Sequence, residues 1–267
     1  MFYWIYDITT AQLAILFSAF FLAVAWCGSL VFGPVLRLFV RRQAGCNDLV
    51  GYILSCYCVF YGLLLGLIAV AAYQNFMDTN RTVSEEAAAV TALYRDITCY
   101  PEPDRTELQD LLREYTRNVI EKSWPLQREG LTPTEGGKKL NAFLARLAAF
   151  EPNTKGQEII HAETFSSFND VSRLRRLRVI CITTGIPAIM WYVVVIGAFL
   201  NIALVWLFDM KLSSHLMLGG VLSFYIGTVI CLIAAMDNPF RGEVSIGPDA
   251  FVNVYETVMG GKTSHGR

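Results

Sequence analysis

Residues 50–73, VGYILSCYCVFYGLLLGLIAVAAY, run without a single charged side chain. A soluble fold has little use for such a run. As a helix rising about 1.5 Å per residue, roughly 20 apolar residues cross the hydrocarbon core of a bilayer. Gly62 and Gly66 form a GxxxG pair that extends back to Cys58, and this four-residue spacing puts small side chains on one stripe where another backbone can come close. Val59, Leu63, Leu67 and Val70 form a neighbouring stripe about 100° round the helix. One stripe can pack while the other faces an axis, or both can pack against helices or lipid.

The rest of the chain repeats the signal. Of 267 residues, 54% are hydrophobic and 17% charged, and mean hydropathy is +0.42. These values fit an all-α, polytopic membrane protein with four transmembrane helices. Apolar spans are expected near 10–40, 50–73, 179–207 and 214–236, with a helical extramembrane domain between the second and third. The implied divisions are 1–76, 77–178, 179–236 and a tail, 237–267. Phe2, Tyr3, Trp4 and Tyr6 suit a membrane interface, and Tyr73 and Phe76 anchor the second span. The first span is interrupted at Gly33-Pro34, and Pro187 is expected to kink the third, with Thr183 and Thr184 satisfying freed backbone groups. Asn201, the strongly polar side chain of that span, is expected to bond another helix. No basic residue precedes the first apolar run, so no cleavable signal peptide is expected.

Within 77–178 apolar residues fall at helical spacing. Val83, Ala87, Val90, Tyr94 and Ile97 mark a helix continuing from the second span, broken by Pro101 and Pro103. Asp104 is placed to cap the next helix, which Trp124-Pro125 should end. Further helices follow over Leu140–Phe150 and from Gln157 into the third span. A short last helix, PDAFVNVYETVM, closes at Gly260-Gly261.

Little in the chain suggests catalysis. No Ser/His/Asp grouping, HExxH, P-loop or dinucleotide fingerprint is present, so no enzyme, cofactor or metal site is expected. His161, His215 and His265 lie in different segments and read as interfacial or solvent residues. Of the seven cysteines, Cys56-x-Cys58 is too tight for a zinc pair, and no disulfide framework follows. Glu85-Glu86 reads as a solvated helix face. The run Arg173, Arg175, Arg176 and Arg178 suits anionic lipid headgroups or an anion vestibule. Asp237, Glu243 and Asp249 are acidic enough for a hard cation but lack the ligand spacing of a calcium loop. A net charge of −1 offers nothing to nucleic acid.

The stretch SEEAAAVTALYRDITCYPEPDRTELQDLLREYTRNVIEKSWP, with DNPFRGEVSIGPDAF, resembles the bestrophin-like family of bacterial membrane proteins. Gly62-Leu-Leu-Leu-Gly66 and the order of elements are similar to bestrophins, more distantly. So is the tail motif Asp237-Asn238-Pro239-Phe240 with Glu243. The resemblance implies a homo-oligomer, a pentamer, passing small anions along the second helix, with Val59, Leu63 and Leu67 as the pore neck and Cys58, Gly62 and Gly66 as the packing stripe. The neck is aliphatic where bestrophins carry aromatics. Arg241 interrupts the tail motif and Val244, Ser245 and Ile246 replace its acidic run, so calcium gating is not expected. A non-conducting sensor or scaffold, and a membrane-permeabilising effector, are the alternatives.

Sidedness draws conflicting signals. Arg37, Arg41, Arg42 and Lys211 in the short connections favour placing those connections in the cytoplasm. The Arg173–Arg178 run, Arg81, Arg241 and the bestrophin-like layout favour termini and helical domain in the cytoplasm of a multi-pass inner-membrane protein, which is the expectation adopted.

Overall fold

In a computed structural model, residues 8–32 and 45–261 are described. The N-terminal aromatics, Gly33-Pro34, Arg37, Arg41, Arg42 and His265 lie outside these residues. Every described element is helical: α1 (Thr10–Val31), α2 (Cys46–Ile97), α3 (Asp104–Asn118), α4 (Trp124–Arg128), α5 (Glu135–Ala148), α6 (Lys155–Cys181), α7 (Ala188–Trp206), α8 (Leu212–Asp237) and α9 (Asp249–Asn253). Two π-helical turns, Val119–Ser123 and Val254–Val258, extend α3 and α9. The chain divides into two compact units, one of residues 1–75, 185–237 and 242–244, the other of the rest.

The first unit holds the helices long and apolar enough to cross a membrane: α1, the first half of α2, α7 and α8. Small residues set how closely they approach. A Cβ on Gly227 of α8 would come 2.8 Å from the Ser18 Cα of α1, and one on Gly197 of α7 would come 2.4 Å from the Tyr61 ring of α2. Packing through small residues replaces the hydrophobic drive that lipid cannot supply. Side-chain donors take up carbonyls across helices: Tyr57 Oη to Gly197 O at 3.0 Å, Tyr61 Oη to Val194 O at 2.9 Å, and Trp206 Nε1 to Ala25 O at 3.1 Å. Asn201 is buried, as expected of an interhelical partner, with its amide 3.6 Å from the Cys58 thiol.

The third span differs from expectation. Pro187 does not kink one helix. It stands at the N-cap of α7, six residues after α6 has ended at Cys181. A proline lacks the N–H a helix interior needs but loses nothing at a helix start. Thr183 and Thr184 do satisfy a freed carbonyl, both donating to Ile180 O.

The second unit packs the later half of α2 with α3, α5, α6 and α9 around a core that includes Leu93, Leu108, Leu112, Tyr115, Trp124, Phe143, Val171 and Phe251. Asp104 is not the cap of α3. It sits inside the first turn, and the carboxylate of Glu102 accepts from Thr106 N and Oγ1 instead. Asp104 and Glu107 both bond Arg146, tying α3 to α5. Nor does Trp124-Pro125 end the helical path. The turn Val119–Ser123 inserts one residue, Trp124 N bonds Val119 O, and Pro125 falls in the first turn of α4 where a missing donor is tolerated.

Candidate functional site

Two places concentrate the residues singled out above. The first is the outward face of α2. Tyr61, Leu65, Ile68 and Ala72 are buried against the other spans. At about 100° per residue, Val59, Leu63, Leu67 and Val70 fall roughly opposite that buried face. Val59 is 70% exposed, and Leu63 and Leu67 are each 62% exposed. Beside them, a Cβ on Gly62 or Gly66 would meet nothing within 4 Å. The small stripe therefore divides: Cys58 turns inward to Asn201, while Gly62 and Gly66 meet no packing partner among the described residues. The arrangement is a smooth apolar face with a shallow trough along one side and no charged group among residues 50–73.

The second place corrects two readings. Glu86 is not on a solvated face, and Arg178 does not belong to a headgroup or vestibule cluster. Their side chains are 0% and 1% exposed and form a salt bridge, with Arg178 Nε 2.6 Å and Nη2 3.2 Å from the Glu86 carboxylate. Tyr115 Oη donates to Glu86 Oε1 at 2.7 Å. The guanidinium carbon lies 5.4 Å from the Trp124 ring centre and 5.6 Å from that of Phe251. Burial pulls the Arg178 pKa down, but Glu86 and then Tyr115 outweigh it and hold the group charged. Burial, then the Glu86 charge, pushes the Tyr115 phenol well above its ordinary value, so it stays a donor. The pair links α2 to α6 while Tyr115 adds α3, which makes it a structural centre rather than a reactive one.

The four arginines thus separate. Arg178 shares a helix face with buried Val171 and Leu174. Arg175 is half-buried beside Gly136 and Gly137 and donates to Pro133 O at 3.4 Å. Arg173 and Arg176 alone of the four are exposed.

The tail motif is also structural. Asp237 is buried and accepts from Ile186 N at 2.6 Å and Trp191 Nε1 at 3.3 Å, and Glu243 Oε2 accepts from Thr10 N at 2.8 Å. Pro239 O accepts from Ile246 N, and Phe240 stacks edge-on against Trp124, whose Nε1 donates to Ile246 O. Asn238 is half-buried. Among the described residues no group of three His, Cys, Asp or Glu is placed to hold a metal. Two histidines depart from the interfacial reading: His215 is buried, and His161 is half-buried with Nδ1 2.8 Å from Tyr100 Oη.

The sequence reading puts Glu86 on the wrong face and does not pair Tyr115, a core-face residue of its helix, with it. The signal for Glu86 is its position three residues from Val83 and four from Val90, on the stripe that reads as core.

A crystal structure of a bacterial bestrophin homologue from Klebsiella pneumoniae matches this fold with a TM-score of 0.58 at 15% identity, covering 87% of this chain and 96% of that one. A variant of that homologue gives 0.60 at 14% identity, over 88% and 99%. A further crystal structure, of a membrane protein, gives 0.63 at 15% identity, over 90% and 96%. No curated protein matches the sequence. The helical likeness carries the fold alone at such identity, but the family model for the bestrophin-like domain matches residues 19–251, most of the chain. With four apolar spans and a helical unit between the second and third, the chain belongs to the bestrophin-like family.

Proposed function

We propose that this membrane protein forms a homo-oligomeric ion channel, a pentamer passing small anions, with α2 of each subunit facing the conduction path. The observation that carries the reading is the opposition of faces on α2. One face is spent on packing within the protomer, while the other presents Val59, Leu63 and Leu67 beside an unfilled Gly62/Gly66 trough. Cyclic assembly repeats one surface on every subunit. Placed around an axis, the three side chains form stacked apolar rings separated by about a helical turn, and the glycine trough leaves room for the neighbouring subunit's helix. An apolar ring offers nothing to replace a hydration shell, so it closes by dewetting and opens by widening. Termini and helical unit are assigned to the cytoplasm. Cys99, exposed at the end of α2, reports on that assignment: an impermeant thiol reagent should leave it unlabelled in intact cells. Current across a planar bilayer holding the purified protein, with reversal potentials in asymmetric salt, tests conduction and selectivity together. Absence of current from correctly assembled protein would leave the scaffold reading.

A further inference from the structure

The outward face of α6 changes character along its length. Up to Asp170 it mixes signs, with Glu158, Glu163 and Asp170 exposed. Beyond Asp170 the sequence has no acidic residue until Asp209. That last stretch of α6 presents Arg173, Arg176, Leu177 and Ile180 outward, with Leu177 41% and Ile180 59% exposed. The other two arginines of the run are held by the protein, as described above. Arg173 is only loosely engaged: Asp170 lies 3.4 Å away, and both side chains are more than half exposed. An exposed pair of that kind contributes little. Arg176 makes no hydrogen bond or ion pair among the described residues.

Six residues separate the end of α6 from the membrane-crossing α7. A chain of that length reaches at most about 22 Å, and Arg176 and Arg173 lie about 8 and 12 Å further back along the helix, so chain length limits how far both can stand from the span. One free and one loosely paired guanidinium group, followed along the chain toward the span by two exposed apolar side chains, match the layering of headgroup over acyl chain.

We propose that this end of α6 is a binding surface for anionic membrane lipid, with Arg173 and Arg176 holding the headgroup phosphate and Leu177 and Ile180 meeting the upper acyl region. Each arginine at such a surface strengthens association with anionic lipid about fivefold.

The test uses the full chain in nanodiscs, with an indole introduced by Leu177→Trp as local reporter. Quenching of the added fluorescence is compared for brominated phosphatidylglycerol and brominated phosphatidylcholine. The expected result is a preference of about tenfold or more for phosphatidylglycerol, lost in Arg173→Gln/Arg176→Gln and reduced by high salt on the unsubstituted arginines. Equal quenching by both lipids would reduce the surface to apolar contact and overturn the proposal. No quenching by either would mean the face is covered by another copy of the chain. Displacement of phosphatidylglycerol by free inorganic phosphate would make it a soluble-anion site instead. The salt arm stands even where the double variant folds poorly.

Discussion

Replacing Arg178 by Met leaves the Glu86 carboxylate buried with one of its three hydrogen bonds, that from Tyr115. Removing one partner of a buried ion pair costs about 3–5 kcal/mol, because an uncompensated charge remains in a low-dielectric interior. Glu86→Gln strands the guanidinium instead and should cost a similar amount. At about 2–4 °C lost per kcal/mol for a chain of this length, each single variant should melt about 6–20 °C lower. The double variant Glu86→Gln/Arg178→Met strands neither charge. It should be more stable than the sum of the single losses implies, by an interaction energy of about 1–3 kcal/mol. Thermal unfolding of the purified protein in detergent, followed by near-ultraviolet circular dichroism around Trp124, measures all four corners of this cycle. Strict additivity, or a single-variant shift under about 3 °C, would show that the pair is not the centre of the helical unit.

Two further perturbations probe other parts of the account. Gly66→Leu fills space that is open in the protomer, so it should leave protomer folding intact while gel filtration shows the oligomer lost; an unchanged oligomer would place the glycine trough against lipid or water. His161 has its pKa lowered below 6.5 by burial, so the folded state takes up its proton less readily than the unfolded one. Stability should therefore be full above pH 6.5 and fall below it, and His161→Gln should remove that part of the decline between pH 7 and 5.5.

The parts of the fold that were legible are those where a long period dominates. Each apolar span exceeds any competing signal, and α2 runs on through the extramembrane stretch because Val83, Val90 and Ile97 keep the same stripe. Local breakers were harder to weigh. Pro187 starts a helix rather than bending one, and Pro125 is absorbed by a π-helical turn that no residue pattern announces. Charge was misjudged where composition overrode periodicity. Arg173 to Arg178 looked like one basic patch, yet at about 100° per residue the run wraps the helix. Arg178 then joins Val171 and Leu174 inward while Arg173 and Arg176 turn outward. Glu86 is misread for the same reason: its charge hides a position on the buried stripe of Val83 and Val90. The candidate neck was legible as a stripe, but which stripe of α2 packs within the protomer depends on Gly197 and Val194 of α7 receiving Tyr57 and Tyr61, a tertiary fact.

The claim that the outward face of α2 lines a conduction path rests most directly on Leu63, which is apolar, exposed and at the middle of the stripe. Leu63→Ser should let water persist in the ring that this position forms and raise open probability or conductance in planar bilayers, while gel filtration shows the oligomer unchanged. Unaltered currents from a well-assembled Leu63→Ser variant would contradict the account, because the conduction path would then lie elsewhere.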